Sequence, residues 1–321
     1  MLTFFQTALR PECFMLAILT ITMPIFIIMA MGYFSVRFDF FTEVQLAGIG
    51  KFVIRIGLPM LVFHAITTRP LSDVINLNYL YGYGLASLLA FFAGWGLSRR
   101  RGQDATLSAL NGLATGMSNT GFIGYPLLAM VIGPQAGGYL AMNALLENIL
   151  VLPLMFILID VARGGSGKIS TTLWRVVKNL LKNPIIGSLL LALVFALCQI
   201  PVPAVAEKVA AMLASAASPL ALFVIGGGLY GLRIRGGMAD ISVIVAGKLL
   251  LFPALVVGCL WLFGADHDTV FAGALLASVP MASMYPLFGR QYGFEQRTAA
   301  AMLVTTIASF FSISLVLLLW H

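Results

Sequence analysis

The chain has 321 residues, 60% of them hydrophobic and 10% charged, with a formal net charge of +7. That balance excludes a water-soluble globule with an ordinary polar surface, and apolar stretches long enough to cross ~30 Å of hydrocarbon recur from end to end, leaving no room for a soluble domain. The basic residues stand in short connections between apolar runs instead of on one polar face with interleaved aromatics, so the charge reports orientation in a lipid bilayer and excludes nucleic acid as a partner.

Met1 to Glu12 holds one arginine and one glutamate and lacks a small-residue cleavage pattern, so the apolar stretch that follows is expected to be a retained span. Hydropathy places spans near residues 14–36, 44–67, 75–97, 105–132, 138–162, 183–200, 205–231, 241–264, 269–290 and 297–320. The fourth and ninth of these are interrupted. Alternate connections differ sharply in basic residues. One set holds Arg37, Arg99 to Arg101, Arg163, Lys168, Arg175, Lys178, Lys182, Arg233, Arg235, Arg290 and Arg297, while the other holds only Arg10, Arg69 and Lys208. Because basic loops stay in the cytoplasm, both termini are expected outside and residues 163–182 form a cytoplasmic linker between halves 1–162 and 183–321. Lys51 and Arg55 enter the second span from the cytoplasmic side, where they can snorkel to the interface.

The halves show a common spacing. Pro24 and Pro184, Pro59 and Pro219, and Pro126 and Pro286 are each separated by 160 residues. Five spans per half is an odd number, so a true repeat would insert its second copy upside down, the arrangement found in secondary transporters; coincident prolines in a structural bundle are the alternative.

The interruptions carry the functional signal, because backbone groups freed by a helix break are tolerated at membrane depth only beside protein or a water-filled cavity. In the fourth span Ser118, Asn119 and Thr120 lie among Gly116, Gly121, Gly124 and Pro126; in the ninth, Pro280 and Pro286 flank Ser283, Met284 and Tyr285. Exposed amides at a half-helix N-terminus attract a carboxylate, and the small polar side chains add neutral hydrogen bonds. A pair of kinks packed by small residues is the structural reading of the same pattern.

The runs MSNTGFIGYPLL, KFVIRIGLPMLVFHAIT and SVPMASMYPLFGRQYG, in which the Asn-Thr followed by Gly-x-Pro is the most specific element, resemble the auxin efflux carrier family along nearly the whole chain. The resemblance implies an all-α polytopic membrane protein of ten transmembrane helices, built as two inverted five-helix repeats. Helices 1, 2, 6 and 7 would form a scaffold and helices 3–5 and 8–10 a transport domain, with broken helices 4 and 9 crossing at its centre. It further implies carboxylate transport by an elevator motion, a substrate contact at Asn119 with Pro126 and Pro286 near the crossing, and leaves room for a homodimer formed through the scaffold. The long cytoplasmic loop of plant members is reduced here to residues 163–182, so the chain is similar to the short carriers of the bacterial inner membrane, malonate carriers among them.

Ionisable residues at membrane depth are functional candidates because their desolvation is expensive. Glu147 falls about 15 Å into the fifth span and shares a helix face with Asn143, and Lys248 reaches a similar depth from the other side. A Glu147–Lys248 pair in which protonation of Glu147 frees Lys248 as proton and substrate exchange is one reading; a static ion pair that fixes the packing is the other. His64, after a Leu-Pro kink, is either a proton relay or a packing residue at the scaffold boundary.

Other chemistry fails on inspection. Gly226 to Gly228 lie inside an apolar span without a phosphate-loop pattern and suit close helix packing. Cys13, Cys198 and Cys259 have no CxxC spacing, the three histidines have no metal-ligand spacing, and no cofactor motif or hydrolytic constellation occurs, which argues against an enzyme. The sequence therefore points to a secondary transporter of small organic anions driven by protons or sodium, with a channel or sensor using the same cavity as the second function class.

Overall fold

The computed structural model describes residues 11–68, 75–164, 174, 178, 182–231 and 237–320, with the side chains of 11–19 and 21 excepted. Arg10, Arg69, Lys168, Arg175, Arg233, Arg235 and most of the linker lie outside the described residues.

The described chain is helical: α1 Pro11–Arg37, α2 Glu43–Thr67, α3 Leu77–Arg100, α4 Ala105–Gly116, α5 Tyr125–Ile132, α6 Ala136–Leu146, α7 Leu152–Ala162, α8 Pro184–Leu197, α9 Ala204–Gly228, α10 Met238–Leu262, α11 His267–Ser278, α12 Met284–Tyr292 and α13 Glu295–Leu319. Among the described residues, six apolar helical runs have the length and composition to cross a membrane, as in a multi-pass membrane protein. One of them, Thr120–Ala162, has 43 residues and would extend about 64 Å if straight, twice what a bilayer needs. It does not run straight: Gly133 takes a φ of 68°, which a side chain would resist, and α6 packs back against α5.

Helix starts follow the usual chemistry. Asn76, Asp104 and Asn183 accept backbone N–H bonds as N-caps of α3, α4 and α8, and Pro184 occupies the first turn of α8. Four π-turns interrupt the helices at Val53–Gly57, Thr120–Gly124, Glu147–Val151 and Gly247–Leu251, and each ends two residues before a proline: Pro59, Pro126, Pro153 and Pro253. A proline ring cannot accept the carbonyl four residues back, so the chain widens by one residue ahead of it. Pro24 and Pro219 instead sit inside unbroken helices. The 160-residue proline spacing thus joins positions with different local roles: Pro24 is interior where Pro184 is N-terminal, and Pro59 follows a π-turn where Pro219 does not.

Packing falls into two groups. α1 lies on α9, and α8 and α9 lie on α2. The α1–α9 contact brings backbones together: a Cβ on Gly32 would stand 2.0 Å from Phe223 O, and one on Gly226 would stand 1.8 Å from Met29 O. The expected packing use of the glycine run is realised there. In the second group α3 packs on α4 and α10, α10 on α11 and α13, α12 on α13, and α4 on α7. Leu58, Leu61, Val62, Leu140, Leu189 and Ala217 fill the core where α6 meets α2, α8 and α9.

Candidate functional site

The interruption of the fourth span is narrower than the glycine and proline pattern predicts. Only Met117, Ser118 and Asn119 are non-helical, and Thr120 already opens the π-turn that leads into α5. Residues 279–283 form the second break. The two breaks meet as a short antiparallel bridge between Ser118 and Met281. Asn119 N donates to Pro280 O at 2.9 Å and Ala282 N to Met117 O at 3.3 Å, so backbone groups freed by one break satisfy those of the other. Beyond the bridge two helices begin, at Thr120 and at Met284, and neither Asn119 nor Ser283 caps its helix through its side chain. Both N-termini therefore keep unsatisfied amide dipoles near the bridge.

A cavity of about 500 Å³ opens beside it. Ser118, Asn119, Thr120, Gly121, Ser283 and Met284 form its polar end; Ile54, Leu58, Phe122, Phe156, Ile185 and Phe288 supply apolar walls from both packing groups; Lys182 and Asn183 stand at the α8 end. Asn119 is buried, and its Nδ2 has no hydrogen-bond partner although it lines this space. An amide left unpaired inside a protein is costly, which makes Asn119 a candidate to meet a bound ligand.

Behind the bridge lie the two ionisable residues. Lys248, in the π-turn of α10, is fully buried; its Nζ donates to Ser118 Oγ at 2.8 Å and to Ala277 O at 2.7 Å, and sits 4.4 Å from the centroid of the Phe252 ring. Ala277 is in the last turn of α11, whose carbonyl end carries partial negative charge, so the ammonium is held by a helix terminus, a hydroxyl and an aromatic face. Glu147 starts the π-turn after α6, lines the cavity, and accepts from Thr120 Oγ1 at 2.7 Å. The two charges do not touch: among the described residues no Glu147–Lys248 contact falls within 4.0 Å. Each is held by a different neighbour of Asn119, Lys248 through Ser118 and Glu147 through Thr120.

Other expected residues fall in several places. Asn143 joins the cluster, reaching Thr120 Oγ1 at 3.4 Å. Gly124 is closed in by Leu276, where a Cβ would stand at 2.9 Å, and Pro126 is buried in α5. Pro280 contributes its carbonyl, and Pro286 lies inside α12 away from the cavity lining. Tyr285 points elsewhere: it is buried and donates to Asn111 Oδ1 at 2.8 Å, in a polar cluster with Ser98 and Gln103. His64 does not line the cavity, and its Nδ1 is buried without a partner on α2.

Sequence reasoning missed Tyr79 and Tyr83. Their rings stack one helical turn apart on α3, 5.2 Å between centroids, with Tyr79 OH donating to Asn143 Oδ1 at 2.9 Å and Tyr83 OH 3.5 Å from Ser118 Oγ. The signal was present as Asn76, Tyr79 and Tyr83, a polar face recurring at helical spacing in an otherwise apolar span. Asn148, whose Oδ1 accepts from Asn183 Nδ2 at 2.9 Å, was also missed; it ties the α6–α7 turn to the start of α8 at the cavity edge.

Comparison with known proteins places this geometry. A protein of Rhizobium meliloti strain 1021 named "Putative malonate transporter" is 27% identical over 295 residues, covering 90% of this chain and 91% of that one. The "Uncharacterized transporter YfdV" of Escherichia coli K12 is 26% identical over 296 residues, covering 90% and 92%. "Auxin efflux carrier component 2" of Arabidopsis thaliana is 30% identical over 146 residues, 44% of this chain and 22% of the plant protein. The family model described as "Membrane transport protein" matches residues 17–318, and this chain, with its paired helix breaks at a half-open cavity, belongs to that family of membrane transporters.

Proposed function

We propose that the protein is a secondary carrier of small organic anions, with the substrate carboxylate bound at the Ser118–Met281 bridge. The observation that carries this reading is Asn119, a residue that lines a cavity beside two helix N-termini without side-chain caps and whose buried amide nitrogen has no partner within the protein. Amide donors and helix dipoles together suit an anion, and Ser118, Thr120, Ser283 and Met284 complete its surroundings. The remainder of the cavity is walled by Ile54, Leu58, Phe122, Phe156 and Phe288, so it favours an anion with an apolar body over a compact dicarboxylate of the kind named for the Rhizobium relative.

Ten crossings would be α1, α2, α3, the broken α4–α5, α6–α7, α8, α9, α10, the broken α11–α12 and α13, in two inverted halves. The proposed scaffold is α1, α2, α8 and α9, and the proposed transport domain is the rest. The packing groups support that division, as does a cavity whose walls come from both of them. Sliding the second group along the first would carry the bridge across the bilayer, an elevator motion. The cavity meets the α8 end, where the basic linker joins, so this is the inward-open state of a carrier in a bacterial inner membrane with both termini outside. Glu147 lines the same cavity and is the proposed proton-coupling residue.

Uptake into proteoliposomes tests this, using malonate, short aliphatic acids and aryl acetates under separately imposed proton and sodium gradients. Accumulation driven by protons and lost in Asn119→Ala is the expected result. Sodium-driven accumulation removes the role of Glu147, equal flux down any gradient identifies a channel, and no flux of any anion removes the carboxylate site.

A further inference from the structure

The proton chemistry proposed for Glu147 depends on which way the groups behind it point, and the inference that follows rests on that coupling role. Thr120 has one hydroxyl proton, and it goes to Glu147 Oε1 at 2.7 Å. The Asn143 side chain approaches the same hydroxyl oxygen from behind, at 3.4 Å. Were Asn143 to present its carbonyl there, two acceptors would compete for a single proton. Tyr79 prevents this. Its phenol donates to Asn143 Oδ1 at 2.9 Å, which leaves Asn143 Nδ2 to face Thr120. Tyr79 and Asn143 are both fully buried, and Tyr139 packs edge-on against the Tyr79 ring at 4.9 Å.

We infer that Tyr79 and Asn143 are positioning residues for transport: a one-way chain of donors, from Tyr79 to Asn143 to Thr120, that aims the Thr120 hydroxyl at the Glu147 carboxylate and sets the pH at which Glu147 takes up a proton from the cavity. The chain ends on an acceptor, so it stabilises the carboxylate and leaves the second carboxylate oxygen to the cavity side.

The titratable and charged groups around Glu147 are Lys248 from α10, Tyr79 and Tyr83 from α3, and Lys182 at the cavity mouth. Lys248 and Tyr83 both bond Ser118, on the other side of Asn119. That second branch makes no hydrogen bond to Glu147, although Lys248 and Tyr83 both act on it through space.

Dicyclohexylcarbodiimide, which adds to protonated carboxyl groups in apolar surroundings, reads the proton on Glu147 without requiring transport. The full chain in lipid nanodiscs is labelled across a pH series, and the Glu147 peptide is quantified by mass spectrometry beside the pH profile of uptake. Thr120→Val is expected to move the labelling midpoint upward by about one pH unit, the worth of one hydrogen bond to a charged group, and Tyr79→Phe to move it in the same direction by less. Thr120→Ser restores the wild-type midpoint. Midpoints in Tyr79→Phe and Thr120→Val equal to wild type overturn the inference, as does a Glu147 that is never labelled at any pH where the fold persists. Midpoints that shift as expected while wild-type uptake ignores pH retain the donor chain and discard the coupling role of Glu147, so the two readings fail separately.

Discussion

The two helix breaks perform the same backbone task with different side chains. At the first, Ser118, Asn119 and Thr120 hold a buried lysine, line the cavity, and hold a half-buried glutamate in turn. At the second, Pro280, Met281 and Ala282 contribute a carbonyl, an N–H and apolar packing. Two interruptions must meet so that freed backbone groups find partners away from lipid, and this requirement applies to both. Chemistry needs only one of them. The asymmetry means that substitutions in the first break and its supports should divide into structural and functional classes, whereas those at Pro280, Met281 and Ala282 in the second should register as packing alone.

The largest effect should come from the support of the first break. Lys248→Ala removes a buried side chain and strands Ser118 Oγ and Ala277 O, for a loss of roughly 2–5 kcal/mol in stability. Lys248→Met fills the space without burying a charge and should melt closer to wild type, since a buried ion returns little net stability. Thermal unfolding of the purified variants in detergent checks both. If alanine melts like wild type, the lysine does not hold the bridge.

Asn119→Ala should show the opposite pattern. Its Nδ2 has no partner within the protein, so the melting temperature stays near wild type while the KM for the anion rises about 10- to 150-fold, the range for a lost hydrogen bond to a charged group. A destabilised protein with unchanged KM would make Asn119 a structural residue. Ser118→Ala falls between, because its hydroxyl meets Lys248 and Tyr83 without being the anion's main donor; about 1–2 kcal/mol of stability and a smaller rise in KM are expected in the same two assays.

How much of this was legible in the sequence follows from what one dimension encodes. Apolar length and the two clusters of glycine, proline and small polar residues located the helices and both breaks, because lipid leaves so few alternatives. Depth was legible for Glu147 and Lys248, since rise per residue is fixed, but equal depth is not lateral contact, and the two are held by different hydroxyls. Rotation was lost as well. Tyr285 lies two residues after Ser283 at the start of a helix, about 200° around its axis, so when Ser283 faces the cavity Tyr285 faces Asn111. The roles of Tyr79 and Tyr83 depend on partners 64 and 35 residues away, which periodicity within α3 does not supply. The π-turns were written in the sequence as residue pairs ending in proline, yet Pro24 and Pro219 show that proline alone does not produce one.

The smallest effect, and the sharpest test of the asymmetry, is Met281→Leu. Met281 is fully buried and shares the bridge with Ser118, but only its backbone lies opposite a site residue. Leucine keeps the volume and the apolar character, so the stability change should stay below about 1.5 kcal/mol and uptake should keep its wild-type KM. The side chain packs among Tyr285, Ala300 and Met302, residues of the second packing group that touch no part of the cavity. If uptake fails in Met281→Leu while the protein melts as before, the thioether reaches the anion in another state of the transport cycle. The second break would then carry chemistry of its own, and the division of labour between the two crossings would hold only for the conformation with its cavity open toward α8.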